Sequence, residues 1–244
     1  MRIASAGHAV FAAALIWVGV LGLLGGNFPS LWQPVAKTVP AREALAHACA
    51  IVALACGAAL LSRRAAAAAA RVLLGWLALW LVVMHVPRMF VAFTVDAWWA
   101  VCKTAVVLAA AWVLVVWFAS GKGLRFARAL CGIGLIPFGL AHFLYLQNTA
   151  PLVPAWLPAH VFWAYFTGAT FIAAGAALLT GAWARLAAVL VTLQMGLFTL
   201  LIWVPVVAAG TPTAFQKGEF VVSCVLTAAT WVVADSWRAI PQRA

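Results

Sequence analysis

The stretch AWWAVCKTAVVLAAAWVLVVWFA, residues 97–119, decides the fold. Its only charge is Lys103, and its length meets the roughly 20 helical residues needed to cross the hydrocarbon of a bilayer. In lipid every backbone N–H and C=O must be paired internally, so a run this long and unbroken is a helix. Working outward, seven more runs satisfy the same test: Gly7–Gly25, Arg42–Leu61, Ala66–Val86, Arg125–Leu146, Pro158–Thr180, Trp183–Pro205 and Lys217–Ser236. The first follows Arg2 as a secretion signal would, but it is longer than a signal core and no A-x-A cleavage site follows near Asn27.

Composition agrees. Of 244 residues, 68% are hydrophobic and only 8% charged, and the mean hydropathy is +1.12. Soluble domains are roughly a quarter charged. A soluble enzyme, a disordered chain and a disulfide-rich secreted module are excluded. The reading is an all-α membrane protein of about eight transmembrane helices in contact with the lipid bilayer. Cys49, Cys56, Cys102, Cys131 and Cys224 lie in or beside apolar runs, without a C-x-x-C pair, and read as small hydrophobes.

The net charge of +11 does not point to nucleic acid, because no basic stripe carries interleaved aromatics. The cations sit mostly in short connections. Ten of the 15 Lys and Arg fall on the side that holds both termini and five on the other, so the positive-inside rule puts both termini in the cytoplasm. Trp32, Trp98, Trp99, Trp156 and Trp203 then form an outer aromatic belt, and Trp117, Trp183 and Trp237 an inner one.

The chain also repeats. At an offset of 118, Ala55-Cys56-Gly57-Ala58-Ala59-Leu60-Leu61 meets Ala173-Ala174-Gly175-Ala176-Ala177-Leu178-Leu179, Pro40 meets Pro158 and Pro87 meets Pro205. The break falls at Ser120-Gly121-Lys122-Gly123, which divides the chain into four-helix units at 1–120 and 121–244. Four helices return the chain to its starting side, so the repeats are parallel, related by an axis along the membrane normal.

Polar residues inside a membrane are costly and mark the places to look for function. In this topology His47, His85, His142 and His160 lie in the outer half, with Tyr145 and Tyr165. The segment from Tyr145 to His160 holds Pro151, Pro154 and Pro158 and reads as a stiff loop, with Pro158 in the first turn of the sixth helix. Trp156 and Trp163 flank that entry. Aromatic walls with His142 and Tyr145 suit a planar apolar ligand with polar edges, such as a quinone; an interfacial anchor is the competing reading. Gln194, midway along the seventh helix, suits a bond between helices or to a ligand. Lys103 and Glu219 lie just inside corresponding helices, as a charge pair in a cavity, as a salt bridge between repeats, or as a snorkelling lysine with an acid in the first helical turn. No metal motif appears. Haem is disfavoured, since only His47 and His142 match in depth. Gly168 and Gly175, seven apart, suit a close helix-packing face.

The second half carries Gly134-Leu-Ile-Pro-Phe-Gly139-Leu-Ala-His142-Phe143, then Leu152-Val-Pro-Ala-Trp156-Leu-Pro158. Phe162-Trp163-Ala-Tyr165-Phe-Thr-Gly168, Ala174-Gly175-Ala-Ala-Leu-Leu-Thr180 and Ala184-Arg185-Leu-Ala-Ala follow. Over about 75 residues this resembles the DoxX-like family of bacterial integral membrane proteins. The resemblance implies a four-helix bundle, here doubled, in a bacterial inner membrane. It also implies a redox-associated subunit close to quinone, with a redox protein as partner. It assigns no catalytic residue. The chain lacks a nucleophile elbow, a phosphate loop, a metal motif and a carboxylate pair, so it does not read as a complete enzyme alone. Two other readings stay open: a binding or transport protein for a small apolar or anionic solute, and a scaffold without activity. The oligomeric state is not legible.

Overall fold

The computed structural model describes residues 3–91 and 95–238. Eight helices long and apolar enough to span a membrane account for nearly all of it. They are α1 (Ala6–Gly25), α2 (Arg42–Leu60), α3 (Ala66–Val91), α4 (Val95–Ala119), α5 (Leu124–Leu144), α6 (His160–Thr180), α7 (Ala184–Ala208) and α8 (Ala214–Asp235). The fold class is that expected, an all-α multi-pass membrane architecture.

Four boundaries differ from the sequence reading. Helix α3 continues through Pro87 and α7 through Pro205. A proline lacks the N–H of an α-helical bond and crowds the preceding turn. Here each helix widens into one π-helical turn, Leu81–His85 and Thr199–Trp203, directly before the proline. Such turns let the freed carbonyls find other partners. Helix α6 starts at His160, behind Ala159 in a left-handed conformation (φ 57°), so Pro158 precedes the first turn. Helix α8 starts at Ala214, where Thr213 and Gln216 form a capping box. Glu219 therefore lies in the second turn, not the first.

Element bounds correspond across the chain at the 118-residue offset. Helices α2 and α6 begin at Arg42 and His160, α3 and α7 at Ala66 and Ala184, and the π-helical turns span Leu81–His85 and Thr199–Trp203. The left-handed residues Ala41 and Ala159 stand at the same offset. Packing follows suit: α1 lies on α2 as α5 lies on α6, and α3 on α4 as α7 on α8. Helices α4 and α8 touch each other and are the most enclosed, with 72% and 67% of their apolar windows buried, so they form the centre.

The start of α1 and the end of α8 meet on one side. Asp235, only 2% exposed, accepts from the Gly7 N–H at 3.2 Å and pairs with Arg238 at 3.2 Å. It supplies an acceptor to the open first turn of α1, beside the cap of Ser5. Arg128 of α5 joins them, donating to the Ser236 carbonyl at 2.6 Å and lying 3.8 Å over the Trp237 ring. Asp235→Ala removes the cap from a buried helix end and is expected to cost about 1–2 kcal/mol. Thermal unfolding in detergent measures it, and Asp235→Asn should recover part of the loss.

Two tryptophans of the expected outer belt are not at a surface. Trp32 is fully buried and Trp203 is 8% exposed, whereas Trp156 and Trp183 are exposed.

Candidate ligand-binding site

A cavity of about 690 Å³ lies among α5, α6, α7 and α8. It runs from Pro154 and Leu157, in the connection before α6, past His142 to Leu186 and Trp183 at the start of α7. Along α7 its edge is formed by Leu186, Leu190, Leu193, Leu197 and Leu201, all exposed on the outer surface of the bundle. From Leu186 to Leu201 a helix rises about 22 Å. The cavity is therefore a long groove whose open flank faces the lipid side.

Its origin lies in side-chain volume. In the first half the corresponding positions hold a packed aromatic cluster. Trp32 packs edge-to-face on Trp80 at 5.4 Å, and its carbonyl accepts from the Trp80 indole at 3.2 Å. Trp76 stacks on Trp80, and Phe28 closes on it at 5.7 Å. At the 118-residue offset Trp32, Trp76 and Trp80 become Ala150, Gln194 and Phe198. Three indoles give way to a methyl, an amide and a phenyl ring, and the second half is left hollow.

Rings line the upper part of the groove. Phe171 and Phe198 lie 5.6 and 6.2 Å from the His142 ring, and Phe138 packs between Trp99 and Phe171 at 4.7 and 6.1 Å. His142 Nδ1 lies 2.8 Å from the Phe138 carbonyl, one turn back on its own helix. A carbonyl can only accept, so Nδ1 carries the hydrogen and the neutral ring keeps its lone pair on Nε2. His142 is 8% exposed and lines the groove.

Gln194 spans α7 to α6. Its amide donates to the Thr167 carbonyl at 3.2 Å, and its carbonyl accepts from the Thr170 hydroxyl. The bond between helices read from its sequence position is thus present, and the residue also lines the groove. Trp163 lines it as well, as does Glu219 from α8. Lys103 of α4 is buried behind Glu219 and interacts with it electrostatically. A lysine 8% exposed does not snorkel to an interface.

The other residues singled out from the sequence stand apart from the groove. Tyr165 is 40% exposed and stacks on Phe143 at 5.2 Å, on the outer face of α5 and α6. Trp156 is 69% exposed. Tyr145 and His160 are partly exposed at the ends of α5 and α6 and do not line it. His47 is exposed on α2, with Nδ1 at 2.8 Å from the Glu43 carbonyl, so it does not face His142. Among the described residues no group of three or more His, Cys, Asp or Glu side chains could hold a metal ion. Trp99, Phe171, Phe198, Thr167, Thr170 and Ser223 were not legible as wall residues one by one. The exchange of three tryptophans at the repeat offset was the available signal.

His85 is a second buried polar point. It is fully buried, with Nδ1 2.9 Å from the Thr104 hydroxyl, and among the described residues its Nε2 has no hydrogen-bond partner. It stands where the offset places Trp203 in the second half, each ending its π-helical turn.

Neither known family models, curated proteins nor solved structures give a match to this chain.

Proposed function

We propose that the chain is a DoxX-like, redox-associated subunit of a bacterial inner membrane, built as two parallel four-helix repeats with both termini cytoplasmic, and that its second repeat binds a quinone-type ligand. One observation carries the reading: a groove of about 690 Å³, walled by aromatic rings, with the Nε2 acceptor of His142 among them. Its length along α7 suits a hydrocarbon tail beside a planar head. Pockets of roughly 300–1,000 Å³ with few polar groups are the usual form of small-molecule sites. The corresponding element bounds support the doubled architecture, and the excess of Lys and Arg on the terminal side supports the orientation. Electron transfer falls to a partner protein, since the proposed role here is to hold and orient the lipophilic ligand.

The test is solvent extraction and mass spectrometry of protein purified in mild detergent. A quinone near one per chain is the expected result. His142→Ala should reduce it about tenfold, the worth of one hydrogen bond and a ring contact, without changing the unfolding temperature by more than a few degrees. Protein that carries phospholipid alone, and takes up no added quinone, would remove the reading.

A second reading draws on Glu219 at the wall and Lys103 behind it: a binding or transport protein for a small solute. It requires that Lys103→Met and Glu219→Gln abolish solute flux in proteoliposomes while quinone content stays unaffected.

A further inference from the structure

The hydroxyl hydrogens on the groove wall are already committed. Hydroxyls inside membrane helices bond back to carbonyls of their own helix. Thr167 donates to the Trp163 carbonyl at 2.8 Å, and Thr149 lies 3.3 Å from the Tyr145 carbonyl. Thr170 has two acceptors within reach, the Thr167 carbonyl at 2.8 Å and Gln194 Oε1, so its hydrogen is engaged within the wall. Thr199 donates to the Met195 carbonyl at 2.9 Å, so in its 2.7 Å contact with Ser223 the serine is the donor. With those protons engaged, the hydroxyl oxygens that line the groove turn only lone pairs toward it. His142 does the same through Nε2, because its Nδ1 hydrogen is held by Phe138. Residues with further donors along the groove are Gln194, through its second N–H, and the tryptophans Trp99, Trp163, Trp183 and Trp203, while Glu219 adds a carboxyl.

A quinone head offers two carbonyl acceptors and no donor. Its reduced form, an aromatic diol, offers two O–H donors on the same ring. At His142 and the wall hydroxyls a dione sets acceptor against acceptor and leaves both unpaired, whereas a diol pairs them. We propose that the groove selects the reduced form: a hydrocarbon-tailed aromatic diol binds in preference to the corresponding dione, with His142 Nε2 accepting one of its hydroxyls. The proposal rests on the quinone reading above and adds an oxidation-state preference to it. A subunit with this preference retains the reduced carrier and releases the oxidised one.

The experiment uses the full chain in lipid nanodiscs, freed of native ligand and titrated anaerobically. The probes are decyl-benzoquinone and its dithionite-reduced diol, each followed by isothermal calorimetry. The diol should bind at least about tenfold more tightly. His142→Phe keeps a ring of similar size between Phe171 and Phe198 and removes the acceptor, so the ratio should fall toward one while binding of the dione is retained. Equal binding of the two forms, or tighter binding of the dione, overturns the preference and leaves the ligand class standing. Binding of neither overturns both. An unchanged ratio in His142→Phe and in a second variant, Thr170→Val, overturns the part assigned to the wall acceptors.

Discussion

Gln194→Trp is expected to close the groove and strip the protein of its ligand. The chain already contains the experiment in its first half, where Trp76 occupies the corresponding position in a packed aromatic cluster. An indole at 194 starts from α7 at the level of Thr167 and Thr170 and projects into the second-half counterpart of the volume that Trp76 fills, beside Phe198. It also removes the bond to the Thr167 carbonyl, which in a membrane is worth about 0.6–2 kcal/mol. Because it fills a void instead of enlarging a packed core, the usual overpacking cost of about 1–3 kcal/mol should be only partly felt. Retained ligand should fall about 100-fold, equivalent to ~2.7 kcal/mol, with the helical content unchanged. Gln194→Leu separates volume from hydrogen bonding. It leaves the groove open and should keep most of the ligand. Full ligand content in Gln194→Trp would mean that the occupied volume lies elsewhere.

The outline of the fold was legible because it rests on one large term, the cost of unpaired backbone and polar side chains in lipid. Runs such as 97–119 carry that information without help from their neighbours. Helix ends were less legible. Pro87 and Pro205 read as stops, yet a single π-helical turn before each lets the helix continue, and nothing local in Leu81–His85 or Thr199–Trp203 announces it. Trp32 shows a different limit. A tryptophan near a helix end satisfies the interface rule and a core position equally well, and only its contact with Trp80 decides between them. Tyr165 shows a third. Along α5, adjacent residues point about 100° apart. His142 therefore turns inward while Phe143 turns out, and Tyr165 stacks on Phe143. Nearness in sequence grouped Tyr145, His160 and Tyr165 with His142, and helix rotation separates them. The groove itself is a difference between two halves, visible only when Trp32, Trp76 and Trp80 are set against Ala150, Gln194 and Phe198.

Gly168→Val is expected to disrupt the second half as a whole. In lipid there is no hydrophobic drive to hold α5 against α6, so their attraction depends on close approach of the backbones. Small residues permit that approach. A Cβ at Gly168 would stand 2.7 Å from the His142 Cβ, 2.9 Å from the Phe143 ring and 3.0 Å from the Gly139 carbonyl. From the other side, a Cβ at Gly139 would run into the Gly168 carbonyl, and Gly132 and Gly175 repeat the arrangement two turns away, where a Cβ added to either would stand 2.7 Å from the other's carbonyl. Backbone atoms on both faces cannot turn aside as a flexible side chain can. The helices must separate, which forfeits contacts along the whole seam. A loss of about 3 kcal/mol, at the upper end of ordinary overpacking, follows for Gly168→Val, with a smaller loss for Gly168→Ala. Unfolding temperature and the folded fraction by size-exclusion chromatography measure it. Gly75→Ala is the contrast, since nothing lies within 4 Å of its added Cβ and α3 should gain from the better helix former, by up to about 1 kcal/mol. Equal stability of Gly168→Val and Gly75→Ala would show that the α5–α6 seam is looser than its glycines imply. Because Gly168 also abuts His142, its variants should lose ligand in step with stability, whereas Gln194→Trp should lose far more ligand than stability.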